Sequence, residues 1–208
     1  MTSEADNLRN SRPETARWHY VNIPLTATAY DAARDCQPSP KGDCILAGID
    51  RFAAILADRA KPDAARAEAL TFLVHLIADL HNPMHVTTNN DRGGNETKVA
   101  FFGTPTNLHA LWDVGLMEHT GLTITAWTDT LNRSGLTVPA GGTPIQWALE
   151  SLRVAREHCY QIPADHALGQ AYVDASLPVL QLQLYRAGVR LAASQNGIFE
   201  QAATRRTP

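Results

Sequence analysis

Apolar residues recur at helical spacing over most of the chain, with polar residues between them. Such a pattern predicts a mostly α-helical protein, because side chains three and four positions apart share one face of a helix. The second predicted helix is expected to be capped by Asp63 and to end before Pro83, since proline cannot continue a helix. The predicted helices cover residues 43–60, 63–80, 105–118, 121–134, 142–161 and 165–194.

One segment breaks this helical pattern. Residues 87–104 begin with turn-forming residues and end near the alternating sequence TKVAFF, which is typical of a loop or small hairpin between two helices. No repeat or linker divides the 208 residues, a length typical of one domain with a substantial core. The sequence therefore predicts an all-α, single-domain, multi-helix bundle over residues 1–208, with a small hairpin or loop near 87–104.

Charge and composition narrow the range of partners. The formal net charge is −3 and the 18 basic residues are scattered, which excludes the broad basic surface of a general duplex-DNA binder. No stretch approaches the roughly 20 apolar residues of a membrane span, and the first residues lack the apolar core of a signal peptide. The chain as written is therefore expected to stay in the cytoplasm, with no membrane or protein partner implied.

The cysteines indicate a different compartment. Cys36 and Cys44 flank the polar segment CQPSPKGDC, a short excursion of the kind that a disulfide closes under oxidising conditions. Cys159 has no evident partner and is expected to be a buried thiol. The predicted Cys36–Cys44 disulfide favours export of the complete gene product.

Two motifs of the form HxxxD carry the candidate chemistry. His75 and Asp79 lie four residues apart in the second predicted helix, and His109 and Asp113 repeat this spacing in the third. Each pair shares one helical face, and imidazole nitrogen together with carboxylate oxygen suits zinc and similar divalent metals. A single pair is more often a surface hydrogen bond or ion pair. Here apolar neighbours in the sequence predict that both pairs are largely buried, and burying an unpaired aspartate is energetically costly. The two pairs together therefore favour metal binding.

The other histidines are less informative. His85 follows the proline turn and is a candidate ligand beside the second pair. His81 lies on a different helical face from Asp79 and is expected to be structural. His19, in the strand-like sequence WHYVNIP, fits either a core histidine or a further ligand. Surface positions are expected for His119, His158 and His166.

Read in order, the motifs WHYVNIP, FLVHLIADLHNPMHV, DRGGNETKV and NLHALWD resemble those of the zinc-dependent single-strand-specific nucleases of the S-one/P-one type, which share a superfamily with bacterial zinc phospholipase C. The resemblance covers essentially the whole chain. It implies a mostly α-helical fold with a cluster of three zinc ions at the bottom of a cleft. It also implies hydrolysis of single-stranded DNA and RNA to 5′-phosphorylated products, and in many members 3′-nucleotidase activity.

The resemblance further implies roles for individual residues. Asp79 would bridge two zinc ions and Asp6 would orient the attacking water, so these two are the expected catalytic residues. The expected ligands are Asp6, His19, His75 and Asp79 for the first zinc, and His85, His109 and Asp113 for the second. The expected substrate contacts are Arg9 with the phosphate, Tyr20 stacked on a base, and Asn22, Gly93, Gly94 and Asn95 along the cleft.

The chain departs from the family pattern at its amino terminus. Met1 lies only five residues before Asp6, so the family's first helix and the ligands of its third zinc have no counterpart in the sequence. This predicts two zinc ions or fewer and weak cleavage, and a secreted or periplasmic location only for the complete gene product. The alternatives are a zinc phospholipase C and a non-catalytic zinc-stabilised module; Tyr20 and the GGN motif favour the nuclease.

Overall fold

The computed structural model describes residues 4–39 and 43–204, and most of that chain is helical. Residues 1–3, 40–42 and 205–208 of the predicted 1–208 domain lie outside the described residues. The α-helices are α1 (Glu4–Leu8), α2 (Ala32–Asp35), α3 (Ile45–Ala57), α4 (Asp63–His81), α5 (Leu108–Ala110), α6 (Leu116–His119), α7 (Ile124–Arg133), α8 (Pro144–Val154) and α9 (Gln170–Thr204). The strands are β1 (Ile23–Pro24), β2 (Thr87–Thr88), β3 (Lys98–Phe101), β4 (Thr104–Asn107) and β5 (Ala167–Leu168). Two segments, Pro13–His19 and Pro83–His85, form 3-10 helices, and Leu111–Gly115 and Ala155–Cys159 are π-helical. The all-α class is thereby confirmed.

Helix α4 agrees with its predicted range of 63–80 to within one residue, but its cap differs. The helix ends at His81, and Pro83 opens a 3-10 turn after Asn82, whose side chain accepts a hydrogen bond from the backbone N–H of Met84. The predicted cap at Asp63 is wrong, because Asp63 is already the first helical residue and the cap position is Pro62. An aspartate in the first turn still interacts favourably with the helix dipole.

The predicted helix 105–118 is wrong at its start. Residues 104–107 form β4, and the helix begins only at Leu108, where the side chain of Asn107 accepts a hydrogen bond from the N–H of Ala110. Pairing with β3 holds these residues extended, and Pro105 also disfavours a helical conformation at the residue before it. The other predicted helices are present with shifted ends, and residues 165–169 contain β5 rather than the start of α9.

The predicted hairpin is present between β3 and β4. These strands pair antiparallel, with Val99 opposite Thr106, and β5 adds to the other edge of β3 in parallel. The connecting residues Phe102 and Gly103 have φ of 48° and 79°, as a tight two-residue hairpin turn requires. A separate parallel pair joins β1 to β2, with Ile23 opposite Thr87.

The core consists of two clusters of buried side chains. The first lies among α3, α4 and α8 and includes Trp18, whose ring makes edge contacts with Phe52 and Phe72. The second contains Trp112, whose indole N–H donates to the hydroxyl of Tyr172 over 2.8 Å. Helix α9 packs against both clusters; α4 contributes to the first, and Met84, in the 3-10 turn after α4, belongs to the second. The histidine-rich segment at the end of α4 therefore lies where the two clusters meet.

The end of α4 is held by polar contacts from α8 and α9. Ser151 donates to the carbonyl of Leu80 over 2.8 Å, and Gln183 donates to the carbonyl of His81, also over 2.8 Å. The buried His81 ring bonds the carbonyl of Ile77 through Nδ1, and its Nε2 lies 3.1 Å from Arg190. Burial lowers the pKa of His81 to about 4, so its ring is neutral. His81 is thus part of the structural support, apart from the ligand groups described below.

The three cysteines are in the states predicted from the sequence. Cys36 and Cys44 form the predicted disulfide, and Cys159 is a buried free thiol. Within the described ranges, none of the helices combines the length and apolar character needed to span a bilayer. Of the histidines expected at the surface, His119 and His166 are exposed and His158 is partly buried.

Candidate metal centre

The first candidate ligand group joins α1, the first 3-10 helix and α4. One ligand atom each from Asp6, His19 and His75 lies within 4.8 Å of the others. His19 Nδ1 and His75 Nε2 are 2.9 Å apart, and both lie 2.9 Å from Oδ2 of Asp79. His19 is the last residue of the 3-10 helix, so the strand-like interpretation is wrong at His19 itself, although Ile23–Pro24 of the same segment form β1. Of the two alternatives left open for it, the group geometry favours the ligand.

The second candidate group combines His85, from the turn after α4, with His109 and Asp113. Nε2 of His85 lies 3.1 Å from Oδ1 of Asp113, and Nε2 of His109 lies 3.7 Å from its Oδ2. Residue Asn82 adds a hydrogen bond to Oδ1 of Asp113 at 2.6 Å. Asp79 Oδ2 is 3.6 Å from Nδ1 of His85. The two groups therefore adjoin, with Asp79 between them.

The hydrogen bonds of the histidines fit a metal ion. Nδ1 of His85 lies 2.8 Å from the carbonyl of His19, and Nδ1 of His109 lies 2.8 Å from the carbonyl of Gly93. A carbonyl only accepts, so each Nδ1 carries the proton, and each Nε2 is left to face Asp113. Fixing the tautomer in this way is the usual outer support of a histidine that binds a metal. Nitrogen and carboxylate oxygen are also the ligand set that zinc accepts.

The electrostatics of the centre favour a bound cation. Burial opposes ionisation of Asp79, but the charge of His85 and hydrogen bonds from the first group outweigh it and hold the pKa of Asp79 below its usual range. Burial would lower the pKa of His85, but Asp79 and Asp113 raise it to about 9. Burial lowers the pKa of His19 and of His109. Ionised carboxylates and neutral His19 and His109 match the protonation states that metal binding requires, whereas His85 would have to release a proton to bind a metal ion.

A cleft of about 460 Å³ opens onto both groups. Its lining residues are Arg9, Ala16, His19, Tyr20, Asn22, Met84, His85, Arg92, Gly93, Asn95 and His109. Five of the six expected substrate contacts are therefore in this lining. The sixth, Gly94, packs beneath it, where an added Cβ would lie 2.9 Å from the sulfur of Met84. Arg9, expected at the phosphate, lies 2.7 Å from the carboxylate of Asp6.

Sequence reasoning missed Arg92 and Asn82. Arg92 lines the cleft with an 81% exposed side chain and has φ of 57°. The sequence did offer a sign of this role, because Arg92 stands beside the two glycines of the DRGGN motif, and a cation next to a glycine-rich loop is well placed to bind a phosphate. Asn82 gave no comparable signal, since its contact with Asp113 spans 31 residues.

A helical fold whose cleft ends in two adjoining groups of histidine and aspartate has the features of a candidate metal-binding enzyme. The S1/P1 Nuclease family model matches residues 1–200, so the chain belongs to this family. It is similar to Endonuclease 2 of Arabidopsis thaliana, with 28% identity over 206 residues that cover 87% of this chain and 71% of the relative. Endonuclease 1 of the same plant is 29% identical over 210 residues, covering 89% of this chain and 69% of the relative. Nuclease P1 of Penicillium citrinum is 27% identical over 206 residues, covering 86% and 75%. The resemblance seen in the motifs is confirmed, and with it a hydrolase that acts on phosphodiester bonds.

Proposed function

We propose that this protein is a zinc-dependent endonuclease that hydrolyses single-stranded DNA and RNA to 5′-phosphorylated products, with 3′-nucleotidase activity. The observation that carries the proposal is the cleft of about 460 Å³ that ends in two adjoining ligand groups and is lined by Tyr20 and Asn22. The same cleft thus offers ligands for metal ions that would act on the phosphodiester. It also offers polar and aromatic groups that would bind a base.

The described residues would hold two zinc ions. Asp6, His19, His75 and Asp79 would hold the first, and His85, His109 and Asp113 the second. Bound zinc supplies an activated water at mild pH and neutralises charge on the phosphate and on the leaving oxygen. This chemistry requires no serine or cysteine nucleophile, and Cys159 is buried in the second core cluster, apart from the cleft lining.

The remaining groups of the cleft would bind and orient the substrate. Arg9 would exchange part of its interaction with Asp6 for a non-bridging phosphate oxygen, and the carboxylate of Asp6 would orient the attacking water. Tyr20 is half-buried, and its backbone is held in place because its carbonyl accepts from the N–H of Ile45 over 3.0 Å. Stacking on a tyrosine ring is tolerant of sequence but requires an unpaired base, which favours single strands. Exposed Asn22 offers both a donor and an acceptor to the edge of a base.

An oxidising compartment, outside the cell or in the periplasm, is proposed from the disulfide between Cys36 and Cys44. This location also suits a degradative nuclease, because it separates the enzyme from the nucleic acids of the cytoplasm.

The test is a substrate panel combined with zinc analysis. Purified protein is offered single-stranded DNA, RNA, duplex DNA, a 3′-mononucleotide and phosphatidylcholine, with and without a chelator. The expected result is chelator-sensitive cleavage of single strands with 5′-phosphate ends, slower cleavage of duplex, and two zinc ions per chain. His75→Ala is expected to abolish turnover, whereas His158→Ala, a histidine outside both groups, keeps it. Hydrolysis of the phospholipid alone would make the protein a phospholipase, and zinc binding without any turnover would make it a non-catalytic module.

A further inference from the structure

The loop of residues 89–97 orients a candidate ligand of the second group. The carbonyl of Gly93 accepts the Nδ1 proton of His109 over 2.8 Å. The carbonyl of Gly94 accepts the backbone N–H of the same histidine over 3.3 Å. The direction of the His109 ring, and hence of its Nε2, therefore depends on where this loop places two consecutive carbonyl groups.

The loop has an unfavourable backbone conformation. Asn90, Arg92, Gly93 and Gly94 have φ of 58°, 57°, 63° and 82°, in the left-handed region that residues other than glycine rarely adopt. Such a conformation persists only where surrounding contacts over-determine it. The loop therefore needs an anchor that fixes its shape.

Asp91 is that anchor within the loop. Its side chain is buried, and its carboxylate accepts hydrogen bonds from the N–H of Asn89 at 3.1 Å and from the hydroxyl of Thr97 at 2.5 Å. The N–H of Gly94 also donates to it. Burial alone would raise the pKa of Asp91, but these hydrogen bonds lower it, so the carboxylate stays ionised. One charged group thus ties together the start, the middle and the end of the loop.

Tyr160 connects this anchor to the rest of the fold. Its hydroxyl lies 2.9 and 3.0 Å from the two oxygens of Asp91, across 69 residues of sequence. Tyr160 follows the π-helical end of α8 and packs against the second core cluster. Neither Tyr160 nor Asp91 lines the cleft. Any effect of theirs on the reaction must therefore pass through the loop.

We propose that Tyr160 and Asp91 are positioning residues that hold the carbonyl of Gly93 on Nδ1 of His109, and so keep Nε2 directed at Asp113 and at a metal ion in the second group. The part of this proposal that concerns the metal rests on the proposed function. The part that concerns the tautomer and orientation of His109 rests on hydrogen bonds alone.

The test compares Tyr160→Phe and Asp91→Asn with the unmodified chain. Tyr160→Phe removes one hydroxyl and keeps the ring. Asp91→Asn replaces one carboxylate oxygen with an amide nitrogen, which donates a hydrogen bond where the four groups around it, Asn89, Gly94, Thr97 and Tyr160, also donate. Zinc affinity is measured by competition with a chromophoric chelator, starting from metal-free protein. Loss of outer support typically weakens metal binding 10- to 100-fold. The expected result is a loss of this size in one of the two zinc sites, with the other site unchanged.

A second measurement works without zinc. Nitrogen-15 NMR of the histidine rings in metal-free protein reports which nitrogen of His109 carries the proton. We expect a single Nδ1–H form in the unmodified chain and a mixture of tautomers in both variants. Tyr185→Phe, on α9, controls for loss of a tyrosine hydroxyl, and Ile49→Val, in the first core cluster, controls for a modest loss of stability. Both controls should leave the tautomer and the two zinc affinities unchanged.

The outcomes separate the two proposals. An unchanged His109 tautomer and unchanged zinc affinities in both Tyr160→Phe and Asp91→Asn would overturn the positioning role. Absence of nuclease activity in the unmodified chain would instead count against the proposed function, while the NMR comparison would still decide the role of Tyr160 and Asp91.

Discussion

Replacing Gly93 with alanine should destabilise the fold beside the candidate metal centre. A Cβ at this position would lie 2.5 Å from the carbonyl oxygen of Met84 and 3.3 Å from that of Thr87. Both are backbone atoms, so no change of rotamer relieves the contact. The residue also has φ of 63°, where a side chain is strained in any surroundings.

Two terms contribute to the expected loss. The left-handed conformation costs roughly 1–2 kcal/mol for a residue with a Cβ. The contact with Met84 requires the loop or the 3-10 turn before β2 to move, which adds about 1–2 kcal/mol of the kind seen for overpacked sites. We therefore expect Gly93→Ala to lower the free energy of unfolding by about 2–4 kcal/mol.

Gly103→Ala is the matched control. Gly103 has φ of 79°, but an added Cβ would meet nothing within 4 Å, so only the conformational term applies. Urea unfolding in the presence of a chelator measures both variants without a contribution from metal binding. Gly93→Ala should lose at least 1 kcal/mol more than Gly103→Ala, and it should also weaken zinc binding. Equal losses in the two variants would refute the contact with Met84 as the cause.

Three further predictions address the metal centre, the cleft and the disulfide. His109→Ala should lower the zinc content from two ions to one per chain by elemental analysis; retention of two would exclude it as a ligand. Arg92→Ala should make single-strand binding less sensitive to salt. In a plot of the logarithm of the affinity against the logarithm of the salt concentration, the slope should fall in magnitude by about 0.7, the value for one phosphate contact. Arg133→Ala, equally exposed and also four residues from an acid, should leave the slope unchanged, and the same slope in both variants would remove Arg92 from the interface. Exchange of both Cys36 and Cys44 for alanine should lower the free energy of unfolding by about 2.5 kcal/mol, because the unfolded chain regains the entropy that closing a loop with a sequence separation of 8 removes. An unchanged urea midpoint would contradict this prediction.

The helical class and the two HxxxD pairs were predictable because they depend on local spacing. His75 and Asp79 are one helical turn apart, so the period of the helix alone brings them together. His109 and Asp113 have the same spacing, although the π-helical segment that starts at Leu111 alters the turn between them. Nε2 of His109 lies 3.7 Å from the carboxylate of Asp113, so the two side chains remain neighbours despite the altered turn.

Features that depend on distant contacts were not predictable from the pattern. The pattern predicts that a helix starts at residue 105, but the pairing of residues 104–107 with β3 holds them extended. The position of His19 in a 3-10 helix, rather than a strand, depends on packing of its neighbour Trp18 against the first core cluster. The bond from Tyr160 to Asp91 spans 69 residues and has no local signal.

The contacts of α9 with the end of α4 imply an order of events during synthesis. A ribosome delivers every candidate ligand, from Asp6 to Asp113, before it starts the helix that begins at Gln170. Until then Gln183 and Arg190 are absent, and the carbonyl and Nε2 of His81 lack the partners that α9 supplies to the segment between Asp79 and His85. We therefore expect the proposed zinc ions to bind late in folding, after α9 has docked on the end of α4.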